Sequence, residues 1–166
     1  MSIKIKYGSF RLCLFLSSAL LLMACATAAE RAIRQAETAT AVNAALADRH
    51  YRISITTVYP KTGGGVNVSR DFFLEVKGDT LLSYLPFFGR VYSLPYAGSE
   101  KGLNFTEHIR HYETLRPKSG QTCIKLMVRN EEDTYNYRID VFDNGRASIG
   151  VRSINRDYIS FDGDLD

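Results

Sequence analysis

TCIKLMVRNEEDTYNYRIDVFDNGRASIGV, residues 122–151, is the stretch whose reading decides the fold. Ile124, Leu126 and Val128 alternate with Lys125, Met127 and Arg129. After the polar turn Glu131-Glu132-Asp133, the residues Tyr135, Tyr137, Ile139 and Val141 alternate with Asn136, Arg138 and Asp140. Asn144-Gly145 follows, the strongest short hairpin signal, because Gly accepts the positive φ that a two-residue turn demands. Ala147, Ile149 and Val151 then return. A period of two with one apolar and one polar face marks half-buried strands, and tight turns between them mark antiparallel pairing.

The same period extends outward in both directions. Downstream, Ile159 and Phe161 end the domain. Upstream, Tyr51, Ile53 and Ile55 alternate with Arg52, Ser54 and Thr56, and Thr62-Gly63-Gly64-Gly65 breaks the chain. Val66, Val68, Phe72, Leu74 and Val76 read as one face of a single long strand, with Arg70 the exception. Gly78-Asp79 is a tight-turn signal and residues 80–85 are the return strand. Residues 30–48 are Ala-rich, without Gly or Pro, and read as a helix. Its apolar stripe, Ala32, Ala36, Ala39, Val42 and Leu46, is thin. The expected fold is α+β, mainly β: one N-terminal helix followed by an antiparallel β sandwich or partly closed barrel of about eight strands.

The first 25 residues have a different design. Lys4, Lys6 and Arg11 precede an apolar run, Leu12 to Ala24, and Leu22-Met23-Ala24-Cys25 closes it. That run is shorter than the roughly 20 residues that span a bilayer. A basic start, a short apolar middle and a small-residue exit describe a secretory signal. A cysteine at the exit implies lipidation at Cys25 and removal of residues 1–24. Met23 departs from the usual small or β-branched residue there, and Ala24-Cys25-Ala26 and Ala26-Thr27-Ala28 offer ordinary cleavage sites instead. The domain reading is thus signal peptide 1–24, tether 25–29, and one β-rich domain with its leading helix over 30–166. No acidic cluster follows Cys25, so the expected location is the outer membrane, periplasmic side, with a soluble periplasmic or secreted protein as the alternative.

Charge and cysteines exclude several classes. Residues 1–24 hold three of the 21 Lys and Arg and none of the 18 acids, so residues 25–166 are balanced at 18 each. A nucleic-acid partner loses its electrostatic footprint. Once the signal and the anchor take Cys13 and Cys25, Cys123 has no disulfide partner and reads as a buried structural thiol.

The least ordinary stretch is Ser83-Tyr84-Leu85-Pro86-Phe87-Phe88-Gly89-Arg90-Val91-Tyr92-Ser93-Leu94-Pro95-Tyr96. Two prolines and a glycine interrupt it, yet it carries five aromatic rings. Loops run over the surface and are usually polar, so one this apolar either closes the open end of the sheets or lines a pocket. This run, with Gly102-Leu103-Asn104-Phe105, Thr134-Tyr135-Asn136-Tyr137, Asn144-Gly145, Ser153-Ile154-Asn155-Arg156 and Ile159-Ser160-Phe161, resembles an uncharacterised family of Bacteroidetes envelope lipoproteins, domain of unknown function 4251. The resemblance covers roughly residues 40–166. It implies a small, mainly β envelope protein, and it transfers no reaction, cofactor or catalytic residue.

Other motifs read as structure. In Glu107-His108-Ile109-Arg110-His111-Tyr112-Glu113, a strand would place Glu107, His111 and Glu113 on one face and His108 on the other. That matches no zinc signature, so a polar strand with cross-strand charge pairs is expected and no metal. Asp162-Gly163-Asp164-Leu165-Asp166 opens like a calcium loop, but a frayed acidic tail is expected. Lys61-Thr62-Gly63-Gly64-Gly65 inverts the phosphate-loop order and reads as a hairpin loop. No G-x-S-x-G elbow accompanies the three histidines. Neither a catalytic residue nor a cofactor is expected, and enzymatic activity is the weaker reading.

The functional expectation is non-enzymatic binding of an apolar or amphipathic ligand, with a protein-interaction or structural accessory role as the alternative and a hydrolase behind both. Tyr84, Phe87, Phe88, Tyr92, Tyr96 and Phe105 would supply the apolar wall, and Arg90 would orient a polar head. That these rings are simply core is the competing expectation. The expected partners are the membrane, through Cys25, and a lipid-like ligand or an envelope protein.

Overall fold

The computed structural model describes residues 28–69, 71–92 and 102–166. The signal peptide, Cys25 and Tyr96 lie outside the described residues. Helix α1 covers residues 28–47. Nine strands follow: β1 (His50–Pro60), β2 (Val66–Asn67), β3 (Phe73–Lys77), β4 (Thr80–Leu85), β5 (Leu103–Lys118), β6 (Gln121–Arg129), β7 (Thr134–Phe142), β8 (Arg146–Ser153) and β9 (Ile159–Leu165).

All pairings are antiparallel, in the order β2-β1-β3-β4-β5-β6-β7-β8-β9, and β1 also pairs with β9. Eight strands therefore close into a barrel, with β2 as an extra strand against Thr57 and Val58 of β1. The mainly β expectation holds, and between sandwich and barrel the barrel is what forms. Closure removes the sheet edges that would otherwise seek partners.

The registers follow the alternation. Ile124 lies opposite Ile139, and Ile139 opposite Ile149. These positions face inward and are buried, as are Tyr135, Tyr137 and Phe161. An eight-stranded barrel is just wide enough for side chains to fill, and these rings fill it. Gly145 turns the β7–β8 hairpin at φ 83° and Gly78 the β3–β4 hairpin at φ 60°.

Two sequence readings are corrected. The single strand over Val66–Val76 is two: β2 is exposed, and the chain leaves the sheet before β3. Phe72 still sends its carbonyl to Ile55 N–H at 2.9 Å, so pairing to β1 continues through an irregular segment that alternation alone does not expose. The C-terminal acids are also not a frayed tail. Phe161, Gly163 and Leu165 lie inward or half-buried in β9, leaving Asp162, Asp164 and Asp166 on the outer wall. Asp166 accepts from Ser54 Oγ at 2.8 and 2.9 Å.

The two mouths are closed differently. The described residues form two units, 28–37 and 38–166. In the first unit the described residues 28–37 are helical and exposed. In the second, Val42 and Leu46 of α1 are buried in the barrel core, and Arg116 near the end of β5 donates to Asn43 Oδ1 at 3.0 Å. The thin stripe thus narrows to two buried residues. The other mouth lies at the ends of β1, β4, β6 and β8, where residues 86–92 of the aromatic segment run.

Candidate functional site

Pro86 ends β4, since proline has no N–H to continue a ladder. The chain then crosses the mouth. β4 and β8 stand on opposite sides of the ring, yet Val91 bridges Arg156 beyond β8, and Tyr92 N–H donates to Asn155 C=O at 2.7 Å. Phe87 turns inward and packs on the core, with the Arg156 guanidinium 5.4 Å from its ring centre.

Two buried carboxylates fix this crossing. Asp157 accepts from Lys61 Nζ at 2.8 Å, from Arg90 N–H at 3.1 Å and from the Tyr92 hydroxyl. Its own N–H donates to Arg90 C=O at 3.0 Å. The hydrogen bonds from Lys61 and then Tyr92 hold the Asp157 carboxyl well below the usual carboxylate range, and the same contact with Asp157 raises Lys61 above the usual lysine value. Asp133 accepts from the N–H groups of Thr134 at 2.7 Å, Ile154 at 3.1 Å and Asn155 at 2.9 Å. Arg156, its side chain 3% exposed, donates to Glu132 at 2.8 Å. The β6–β7 turn, the β8–β9 loop and the aromatic segment are therefore one hydrogen-bonded lid.

On this lid Phe88 is 45%, Tyr92 58% and Ile154 75% exposed. Arg90, beside Asp157 at 3.6 Å, keeps most of its side chain in solvent. Of the seven sequence-predicted residues, Tyr96 lies outside the described residues and the other six separate. Phe88, Arg90 and Tyr92 share the rim. Phe87 and Phe105 turn inward, the Phe105 ring 4.9 Å from that of Tyr135. Tyr84 stands on the outer wall, stacked on Phe72 at 5.5 Å and tilted to Phe73 at 5.8 Å. Asp133, Asp157 and Lys61 hold the rim, and sequence reasoning gave none of them a place in the site: Asp133 read as part of a polar turn and Lys61 as part of a hairpin loop. A carboxylate destined for burial looks the same in sequence as a solvated one. The only hint is an aspartate near the end of each of two polar loops that follow apolar strands, Asp133 between β6 and β7 and Asp157 between β8 and β9.

The Glu107–Glu113 expectation is corrected by a β-bulge. The register shifts between Ile109 and His111, so Ile109 pairs with Val128 and Tyr112 with Leu126, both inward. Glu107 is on the inner phase, whereas His111 and Glu113 pair with Met127 and Lys125 on the outer wall. They do not share a face. The expected cross-strand charge pair forms between Glu113 and Lys125 at 3.6 Å. Among the described residues no three His, Cys, Asp or Glu side chains gather where they could hold a metal ion. Cys123 is free and buried, and burial pushes its thiol up, away from the thiolate. Among the described residues no helix is long and apolar enough to cross a membrane.

Comparison with known proteins agrees with this geometry. The family described as Domain of unknown function (DUF4251) matches residues 33–165. The crystal structure of a DUF4251 family protein from Bacteroides eggerthii DSM 20697 at 1.95 Å resolution is similar, with a TM-score of 0.60 at 14% identity. The match covers 79% of this chain and 90% of that one. No curated protein matches the chain.

Proposed function

The chain belongs to the DUF4251 family, and from that premise we propose that it is a non-enzymatic binding protein that recognises an apolar or amphipathic ligand at the rim of its barrel. We place it at the outer membrane, facing the periplasm, held by lipid on Cys25. The observation that carries the reading is the lid itself. Phe88, Tyr92 and Ile154 stand exposed on a scaffold that two buried carboxylates make rigid. Closing the mouth needs only a ring turned inward, as Phe87 is. Leaving apolar surface in water costs about 25 cal/mol per Å², and rigid display of rings lowers the entropy lost on binding.

The partner docks on the rim and does not enter the barrel, because Tyr135, Tyr137 and Phe161 occupy the interior. Arg90, largely solvated beside Phe88, suits a polar head next to an apolar body.

A photo-crosslinking amino acid at position 88 of the full chain in intact envelopes tests this. Leu115, exposed toward the opposite mouth, is the control position. A lipid-sized adduct at 88 and not at 115 is the expected result. A protein-sized adduct at 88 would replace the ligand reading with the interaction-module reading, and equal labelling at both positions would sink both. Separately, Cys25→Ser is expected to release the protein from the membrane pellet. Retention in the pellet would remove the anchor.

A further inference from the structure

On the outer wall, far from any role in closing the mouth, two adjacent rows of side chains run across β5 to β8. His111 pairs with Met127, Met127 with Asn136, and Asn136 with Arg152. One row along, Glu113 pairs with Lys125, Lys125 with Arg138, and Arg138 with Gly150. The second row ends in a residue without a side chain, so the wall drops there.

Tyr158 leans over the drop. A Cβ at position 150 would come 2.7 Å from the Tyr158 hydroxyl and 3.3 Å from its ring. Gly150 therefore seats the ring as one wall of a groove of about 390 Å³. That volume lies within the range of about 300–1,000 Å³ typical of small-molecule sites. Met127 supplies further apolar surface, and Asn136 and His111 supply polar groups.

The charge is one-sided. Lys125, Arg138 and Arg152 line the groove against a single carboxylate, Glu113. Arg138 is taken by Asp140, at 2.8 and 3.2 Å, one row farther along. Lys125 stands 3.6 Å from Glu113, too long to use up its donors. Arg152 has no carboxylate partner among the described residues; its guanidinium lies 5.6 Å from the Tyr158 ring centre. An arginine held beside an aromatic wall, with its donor fork unused among the described residues, is built for a planar or phosphoryl anion.

We propose that this groove is a second binding site, independent of the rim, which takes a small anionic organic molecule with a flat apolar body. The anion meets Arg152 and Lys125, and the apolar body lies against Tyr158 and Met127.

Titration calorimetry of the full chain in neutral detergent tests it with three probes: phenylacetate, phenyl phosphate and benzyl alcohol. Saturable binding of either anion, at least about tenfold tighter than the neutral alcohol, is expected. The tighter of the two identifies the natural anion as carboxylate or phosphoryl. Arg152→Gln, an exposed change that leaves the barrel intact, is expected to weaken binding about tenfold. Gly150→Ala is expected to displace Tyr158 and weaken it too, while Arg146→Gln, an exposed change at the far end of β8, leaves it unchanged. Absence of saturable binding, equal affinity for the alcohol, or Arg152→Gln binding like the parent would overturn the proposal.

Discussion

At one mouth of the barrel Val42 and Leu46 drop from α1 into the core; at the other, Asp133 and Asp157 gather backbone N–H groups from three loops. The first closure buries two apolar residues of one helix, with a single long-range hydrogen bond from Arg116 to Asn43 beside them. The second is polar and long-range, joining residues 61, 90, 92, 133 and 154–157. Apolar closure buries what it uses. Polar closure lets the chain fix its backbone from beneath and leave Phe88, Tyr92 and Ile154 outward. The difference explains why the binding surface is assigned to the polar mouth.

The comparison breaks most sharply at Asp133. Asp133→Ala leaves three N–H donors without their acceptor. These donors are part-buried, so each falls toward the low end of the roughly 1–3 kcal/mol that an orphaned buried donor costs, and a loss of roughly 4 kcal/mol is expected in urea unfolding. At the other mouth Leu46→Ala is expected to cost about 3 kcal/mol, the usual range for a buried leucine. If Asp133→Ala costs less than Leu46→Ala, the lid is looser than its hydrogen bonds imply.

Within the aromatic segment, neighbours should diverge. Phe87→Ala is expected to cost about 2 kcal/mol, because the ring is partly buried on the core. Phe88→Ala is expected to change stability by less than about 0.5 kcal/mol. Thermal melts of the two variants, followed by the crosslinking assay with position 92 substituted, separate packing from binding. Equal losses would make both rings core.

The mouths should also answer pH differently. The Asp157 carboxyl is held below its ordinary range, so its contribution is complete above that range and is lost as pH falls through it. Lys61 is raised, so its contribution is complete below the ordinary lysine range and is lost as pH rises through and beyond it. The pair therefore stabilises the lid fully between about pH 5 and pH 9. Asp157→Asn should flatten the acid limb of a plot of urea midpoint against pH. Leu46→Ala should lower that plot evenly, since it removes no titrating group. A steeper acid limb in Asp157→Asn would contradict the assignment.

The fold was largely legible because β6 to β9 obey a strict period of two, and a one-residue slip would put Ile124, Ile139 and Ile149 in water. Closure was not legible. It depends on β1 pairing with β9 across the full length of the domain, and alternation carries no information about partners so distant. The bulge beside Arg110 was hidden for a related reason. The inward residues Ile109 and Tyr112 stand three apart where the backbone inserts an extra residue, but two apolar side chains in a polar strand are too few to show a break in the period. Of the rim, Phe88, Arg90 and Tyr92 stood out by composition, but their inward neighbours Phe87 and Phe105 did so equally. Only the backbone path across the mouth separates them.

The smallest effect sharpens the comparison most. Tyr135 and Tyr137 stand two residues apart on β7, both inward and buried. The Tyr137 hydroxyl meets Ser83 Oγ at 3.2 Å, and burial pushes its pKa up, keeping the proton in place for that bond. The Tyr135 hydroxyl, one step nearer the polar mouth, has no hydrogen-bond partner among the described residues. Removing a bonded hydroxyl costs about 1 kcal/mol, whereas removing an unpaired buried one costs nothing or stabilises. Tyr137→Phe should therefore lower the urea midpoint, and Tyr135→Phe should leave it unchanged or raise it by the equivalent of up to about 1 kcal/mol. If Tyr135→Phe destabilised as much as Tyr137→Phe, its hydroxyl would have to be part of the lid's polar network. The lid would then reach one row deeper into the barrel than Asp133 and Asp157 alone require.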